Sequence, residues 1–164
     1  STQTRAAETC NGAGTSSIFE SSEGILYAEI AALHDSGHQY ISISDGSTNN
    51  RVTLELYPSA GTLVARLNSG GTQQAFLVAS SVNKTNYNKI AVRFKLDYLS
   101  FWVNGVMVSY DATNVAIPIG LSEVNFNQGS SSGDFYGKTR DIRVYNTKEM
   151  TDSEVDILLT KITS

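Results

Sequence analysis

Residues 88–108 restrict the fold of this chain more than any other stretch. The segment reads NKIAVRFKLDYLSFWVNGVMV, and its apolar side chains alternate with polar, charged or small ones. Such period-two alternation is typical of β-strands that bury one face. A break at Leu96-Asp97 separates two alternating runs, and Asn104-Gly105 separates the second run from a third. Asn-Gly predicts a type I′ turn because both residues accept positive φ. We therefore expect three consecutive antiparallel strands.

The first hairpin in this segment has a self-consistent predicted register. One pairing makes every cross-strand pair on one face apolar: Phe94 with Leu99, Val92 with Phe101, and Ile90 with Val103. A slip by one residue would turn the whole apolar set to the other face, so the burial of one face selects this register.

The rest of the chain shows the same short alternating runs, separated by Gly, Asn, Asp and Pro turns. They predict strands at about 24–33, 38–44, 51–57, 62–68, 73–79, 88–95, 98–103, 106–109, 122–127 and 139–145. This spacing predicts an all-β antiparallel sandwich rather than βαβ units. Residues 1–23 are polar and rich in Gly, Ser and Thr, which indicates a linker or an extended edge segment, with Ile18-Phe19 as its docking point. Residues 24–164 then form one domain.

One short helix is expected at the end of the chain. Thr151-Asp-Ser-Glu154 fits the capping box, in which the Thr and Glu side chains each bond the other residue's backbone N–H. An apolar stripe at helical spacing follows: Val155, Leu158, Leu159 and Ile162. We expect this helix to cover an open end of the sandwich core.

Charge and length exclude several function classes. The 164 residues have a formal net charge of −4, which disfavours nucleic acid as the main partner because phosphate binding needs a basic surface. No apolar run approaches the ~20 residues of a membrane-spanning helix. Cys10 is the only cysteine, so we expect no internal disulfide and a free thiol.

Two segments resemble a known superfamily. NKIAVRFKLDYLSFWVNGVMV and TRDIRVYNTKEMTDSEVDILL are similar to the C-terminal half of a concanavalin A-like jelly roll of the laminin-G or pentraxin type. That superfamily shows an aromatic-Val-Asn-Gly turn, a strand ending in Asp-Ile-Arg-Val-Tyr-Asn and a short Thr-Asp-x-Glu-Val helix. The resemblance implies a jelly-roll β-sandwich with a C-terminal helix, and a binding module whose commonest ligand class is a glycan or polysaccharide.

Two further motifs resemble the start of such modules in tailed-bacteriophage virion proteins. They are TRAAETC near the N-terminus and SSEGILYAEI at residues 21–30. This resemblance implies a fibre or other surface protein located on the virion or outside the cell, in contact with host glycans, and a homo-oligomer such as a trimer. A structural or assembly module of a virion without a sugar site is an open alternative.

Catalytic patterns known for this fold are missing from the sequence. Glycoside hydrolysis uses two carboxylates at a set separation, and neither Glu29 nor Glu55 has an alternating acidic partner on its strand. The segment His34–His38, HDSGH, lacks a nucleophile-elbow pattern. We therefore predict a non-enzyme, with a polysaccharide-degrading enzyme that has an unrecognised site as the second alternative.

The sequence predicts no cofactor, although calcium stays open. His34, Asp35 and His38 could ligate a metal, but Asp35 and Gly37 are explained by a turn. Oxygen-bearing side chains that could bind calcium in loops fall in two sets: Asp45 with Asn49 and Asn50, and Asp134 with Asn127.

Alternation places the candidate ligand-binding residues on the outward faces of the strands. Trp102, Tyr57, Arg66 and Arg93 share outward positions, and Asp134 and Tyr136 follow a Gly/Ser-rich loop. Aromatic rings stack on the apolar face of a sugar ring, while Arg and Asp bond its hydroxyls. Arginine also suits acidic sugars through bidentate pairing. The competing explanation is that such residues simply give a strand a water-compatible face, or that the N-terminal segment or a partner subunit covers Trp102.

Overall fold

A computed structural model describes residues 14, 18–130 and 132–164. Its elements follow in chain order: β1 (Glu23–Ala32), β2 (Gln39–Ser44), β3 (Arg51–Leu56), β4 (Leu63–Ser69), β5 (Thr72–Ala79), β6 (Asn88–Lys95), β7 (Tyr98–Val103), β8 (Val106–Asp111), β9 (Glu123–Asn125), β10 (Gly137–Asn146) and α1 (Asp152–Thr163). All ten predicted strands are confirmed, with β9 shorter and β10 longer than expected. The predictions for Cys10 and for most of the N-terminal segment fall outside the described residues.

The strands form two five-stranded antiparallel sheets. The first sheet has the order β10-β1-β6-β7-β8, and the second has the order β5-β4-β3-β2-β9. Their inner faces pack together around one apolar core, which confirms the predicted antiparallel sandwich. Phe19, which precedes β1, and Phe135, which precedes β10, also enter this core.

The predicted register of the β6–β7 hairpin is confirmed. Phe94 lies opposite Leu99, Val92 opposite Phe101 and Ile90 opposite Val103. In the next turn Asn104 has φ of 49° and Gly105 has φ of 86°, as a type I′ turn requires. Local alternation and turn chemistry therefore determine this part of the sheet.

Helix α1 has the expected cap and apolar stripe. The backbone N–H of Thr151 donates to Glu154 Oε2 at 2.8 Å, and the Thr151 hydroxyl accepts from the Glu154 N–H at 3.4 Å. Val155 and Leu159 are fully buried, with Leu158 and Ile162 packed beside them. The expected position of the helix is wrong: α1 does not close an end of the core but lies on the outer face of the first sheet, against Ile25, Tyr27, Ala91 and Trp102.

This position of α1 corrects two predicted ligand contacts. Trp102 is outward-facing as expected but only 8% exposed, because α1 covers it. Arg93 is 2% exposed and forms ion pairs with Asp152 and Asp156 of the helix. Both side chains stabilise the docking of α1 and are not available to a ligand. Among the described residues, no helix combines the length and apolarity needed to cross a membrane.

Candidate functional site

A buried glutamate lies on the outward side of the second sheet. Glu55 on β3 has a fully buried side chain although strand alternation points it away from the core. Its carboxylate accepts a hydrogen bond from the Thr53 hydroxyl at 2.7 Å and one from Arg66 Nη2 at 2.9 Å. Arg66 Nε also lies 2.8 Å from the second carboxylate oxygen, which is within ion-pair distance.

His38 completes the bonding of this carboxylate. His38 Nε2 lies 2.9 Å from Glu55 Oε2, and His38 Nδ1 lies 3.1 Å from the Tyr40 hydroxyl. A carboxylate only accepts, so His38 Nε2 carries a proton and donates it. In the neutral imidazole, Nδ1 then accepts from the Tyr40 hydroxyl. Burial and, to a smaller extent, the nearby Glu55 charge raise the pKa of Tyr40. The Tyr40 hydroxyl therefore stays protonated and can donate to His38.

Aromatic rings surround the buried network at the protein surface. The Tyr57 ring lies edge-on to Phe76 with 5.8 Å between centroids and edge-on to His38 at 4.9 Å. The Arg66 guanidinium lies 4.9 Å from the centre of the Phe76 ring. We call His38, Tyr57, Arg66 and Phe76, grouped over Glu55, the aromatic–arginine patch. Because each member contacts another, its exposed edges are held in fixed positions.

A pocket of about 440 Å³ opens beside this patch. We call it the rim pocket; its walls are His34, Gly37, His38, Gln39, Gly133, Asp134 and Tyr136. Phe135 anchors the last part of this wall in the core, so Asp134 and Tyr136 on either side of it point outward. The Tyr136 N–H donates to Gln39 Oε1 at 2.9 Å, which fixes the backbone, while the Tyr136 ring is 46% exposed.

Gly133 allows the pocket wall to lie close to the sheet. Its φ is 72°, and a Cβ at this position would lie 2.5 Å from the Tyr40 ring. The Gly133 carbonyl also accepts from the Tyr40 N–H at 3.2 Å. A side chain there would be strained and would also displace the ring, so the loop that supplies Asp134 depends on glycine.

Lys84 connects two turns at the border of the site. Its ammonium is buried and donates to the carbonyls of Tyr57 at 2.6 Å and Ser59 at 3.1 Å, and it pairs with Asp35 at 3.1 Å. Asp35 also accepts from the Gly61 N–H at 3.1 Å, which, together with Lys84, lowers the pKa of the Asp35 carboxyl. Lys84 thus links the turn after Tyr57 to the turn between His34 and His38.

A loop covers the other end of the same sheet face. Arg51 is buried there, and its Nη1 donates to the Gln128 carbonyl at 2.6 Å and to the Gln128 side chain at 3.2 Å. Desolvation lowers the pKa of Arg51. Residues 127–130, which precede the pocket wall, therefore close this end of the face, and the aromatic–arginine patch and the rim pocket stay accessible.

The structure brings four of the six predicted ligand contacts together. Tyr57 and Arg66 lie in the aromatic–arginine patch, Asp134 and Tyr136 line the rim pocket, and His38 belongs to both. Sequence reasoning missed the roles of Glu55, His38, Phe76 and Lys84. A signal for Glu55 was present, since pairing β3 with β4 across the Pro58–Gly61 turn places Glu55 diagonal to Arg66 on one face.

Asp45, the carboxylate of the first set that could bind calcium, is hydrogen-bonded within its own loop. Asp45 uses one carboxylate oxygen to accept from the Ser47 N–H and hydroxyl, at 2.9 Å and 2.6 Å, and the other to accept from Asn50. These bonds involve both oxygens of the Asp45 carboxylate and close the loop on itself. Within the part of the chain that the structure describes, no group of three His, Cys, Asp or Glu residues is arranged to hold a metal ion.

Comparison with protein families identifies the domain type. A family model described as the concanavalin A-like lectin/glucanases superfamily matches residues 26–156. A comparison with curated protein sequences finds no significant match.

Solved structures with the same fold are distant in sequence. A carbohydrate-binding module, CBM40, of the Ruminococcus gnavus IT-sialidase, bound to α2,6-sialyllactose, has 15% identity and a TM-score of 0.66, covering 98% of this chain and 97% of that one. The module CBM66 from Bacillus subtilis has 11% identity and a TM-score of 0.56, covering 76% of each chain. Mouse laminin α1 domains LG4-5 have 14% identity and a TM-score of 0.56, covering 87% of this chain and 43% of that one. These likenesses confirm the jelly-roll fold.

Proposed function

The chain belongs to the concanavalin A-like lectin/glucanase superfamily, and from this we propose that it is a glycan-binding module. The observation that supports this most is the joining of the aromatic–arginine patch to the rim pocket through His38. Partly exposed Tyr and Phe rings provide stacking surfaces for pyranose rings, and the pocket provides polar groups for hydroxyls. A volume of about 440 Å³ lies within the usual range for small-ligand sites.

Internal bonding prepares this surface for binding. Glu55 neutralises Arg66 and orients His38, while Lys84 holds the backbone of Tyr57. Side chains already fixed by such bonds lose little conformational freedom when a ligand binds. The Ruminococcus gnavus module of the same fold is bound to sialyllactose in its solved structure, which supports a glycan as the ligand class here.

The module acts without catalysis in this proposal. A glycosidase needs one carboxyl group to protonate the leaving oxygen and a second to act as base or nucleophile. The Glu55 carboxylate is instead fully buried and accepts from Thr53, Arg66 and His38. Incubation with a panel of polysaccharides should release neither reducing ends nor unsaturated sugars, and their release would contradict this part.

Alanine variants test the site. We expect Tyr57→Ala, Phe76→Ala and Tyr136→Ala each to weaken glycan binding about tenfold, because each removes a stacking surface. A glycan array identifies the ligand, and titration calorimetry then gives the dissociation constants.

Tyr110→Ala is the matched control, since Tyr110 on β8 is 61% exposed and lies on the first sheet. Failure of the folded wild-type protein to bind any glycan would contradict the proposed function. Equal weakening by Tyr110→Ala would contradict the proposed site.

The setting we propose is the surface of a phage virion or the extracellular space. The motifs TRAAETC and SSEGILYAEI support it through their resemblance to virion modules. Many copies on a fibre would convert weak single-site binding into strong attachment by avidity. Sequencing of the surrounding genes tests the virion setting: tail-fibre and baseplate genes are expected, and their absence would contradict a virion location.

An assembly module is the second candidate, and edge strand β8 supports it. Val106, Met107, Val108 and Tyr110 are all exposed on this strand, at the border of the first sheet. Exposed apolar edge strands pair readily with other chains. A stable oligomer in light scattering that Val108→Lys dissociates, together with no glycan binding, would favour assembly over recognition.

A further inference from the structure

Among the residues that the structure describes, no permanently cationic side chain lines the rim pocket. Its walls include one carboxylate, Asp134, and two imidazoles, but neither Lys nor Arg. Both ring nitrogens of His38 are already bonded, to Glu55 and Tyr40, and His34 Nδ1 lies 3.0 Å from the Ser36 hydroxyl. Lys138 follows Tyr136 by two residues in the chain, yet it is not part of the pocket wall.

Arginines elsewhere in the described residues are already engaged. Four of them form ion pairs with carboxylates: Arg66 with Glu55, Arg93 with Asp152, Arg140 with Glu29, and Arg143 with Asp141. The fifth, Arg51, is buried and donates to Gln128. Each of these charges is therefore opposed by a carboxylate or buried, and no arginine of the described residues lines the rim pocket, where it could bind a ligand carboxylate in bidentate fashion.

Asp134 differs from these arginines, because none of the described residues pairs with its carboxylate. It is only partly exposed, and it lines the rim pocket. An ionised carboxylate is an acceptor only, with two oxygens that bond neighbouring hydroxyls well and repel a second anion. The Tyr136 ring beside it gives the apolar surface on which a sugar ring stacks.

From these observations we infer that the rim pocket selects uncharged sugars, with Asp134 as the residue that determines this specificity. Asp134 accepts hydrogen bonds from two sugar hydroxyls and rejects a sugar that bears a carboxylate. This inference rests on the proposed function and specifies the ligand class of the same site. From the sequence, the outward arginines suggested that acidic sugars bind. The inference is the opposite, because the charges of these arginines are neutralised within the protein.

The test compares neutral glycans with matched acidic ones. Lactose and 3′-sialyllactose form one pair, and a neutral oligosaccharide and its uronic acid analogue form a second. Titration is done at low salt and pH 8, where imidazoles are ordinarily neutral. In each pair whose neutral glycan binds, the acidic glycan should bind at least about tenfold more weakly than the neutral one.

Asp134→Asn and Glu149→Gln separate the local effect from net charge. Both remove one negative charge, but Glu149 is exposed and has no contact in the rim pocket. Asp134→Asn should weaken the affinity for the neutral glycan and reduce the ratio of neutral to acidic affinity. Glu149→Gln should change neither the affinity nor the ratio.

The possible failures are distinguishable. Equal or tighter binding of the acidic member, or an unchanged ratio in Asp134→Asn, would overturn the inference and leave the glycan-binding function intact. If the folded protein binds neither these pairs nor any other glycan on the array, the proposed function itself fails, and the inference fails with it.

Discussion

At the scale of single residues, Glu55 has the greatest effect on the candidate site. A fully buried carboxylate is stable only when its charge is paired and its oxygens are hydrogen-bonded. Three side chains provide these bonds: Arg66 on β4, His38 in the turn before β2, and Thr53 on β3 itself. Arg66 and His38 also belong to the aromatic–arginine patch, so the stability of this face and its surface chemistry depend on one group.

Glu55→Gln should therefore destabilise the protein. The change leaves Arg66, which is 17% exposed, without its counter-charge, and loss of one partner of a buried pair costs about 3 kcal/mol. Urea denaturation monitored by circular dichroism measures the difference in free energy of unfolding. Glu149→Gln is the control and should change it by less than about 0.5 kcal/mol. A Glu55→Gln protein as stable as wild type would show that the ion pair adds nothing to stability.

At the scale of elements, helix α1 decides which sheet face is accessible. Its apolar stripe covers Trp102 and Ala91, and Asp152 and Asp156 pair with Arg93 beneath it. Asp152 also lies in the first turn, where a negative charge is favourable to the helix dipole. The outer face of the first sheet is therefore a packing surface.

Trp102→Ala should reduce stability and leave glycan binding intact. Truncation of a buried Trp costs about 3 kcal/mol through lost contacts and a residual cavity. Affinity should be unchanged because the aromatic–arginine patch and the rim pocket involve the second sheet. Thermal denaturation and titration of the folded variant measure both effects. Loss of affinity in a variant that remains folded would indicate a ligand site near α1 instead.

The cap of α1 can be tested by itself. Thr151→Ala removes the oxygen that accepts from the Glu154 N–H and should cost about 1 kcal/mol. Hydrogen exchange should show faster exchange confined to the first turn of α1. Ser153→Ala, an exposed change in the same turn, is the control. Equal stability of the two variants would show that the capping box is dispensable.

At the scale of the whole molecule, paired carboxylates determine the response to acid. Hydrogen bonds from Lys95 and, to a smaller extent, Arg93 lower the pKa of Asp152 from its ordinary value of 3.8. The Gly61 N–H and, to a smaller extent, Lys84 lower the pKa of Asp35 from the same ordinary value. The Ser22 backbone and hydroxyl lower the pKa of Glu20 from 4.5. A carboxyl whose pKa is lower in the folded state stabilises the fold above its ordinary pKa and loses this contribution as the pH falls.

We therefore expect the melting temperature to decrease as the pH is lowered from about 5 to about 3. Differential scanning calorimetry at several pH values measures it. Asp152→Asn should melt at a lower temperature than wild type near neutral pH and show a smaller acid dependence. An acid dependence identical in wild type and Asp152→Asn would exclude this carboxyl as a contributor.

The sequence alone determined the strands, their inward faces and the β6–β7 register, because alternation and turn chemistry act between residues close in the chain. It also indicated the capping box and apolar stripe of α1 for the same reason. Tertiary structure alone decided that α1 covers Trp102 and Arg93 while Tyr57, Arg66, Asp134 and Tyr136 stay accessible. Arg93 and Asp152 are 59 residues apart, and Arg51 and Gln128 are 77 apart. Local patterns hold no information about which of two similar outward faces such distant segments will cover.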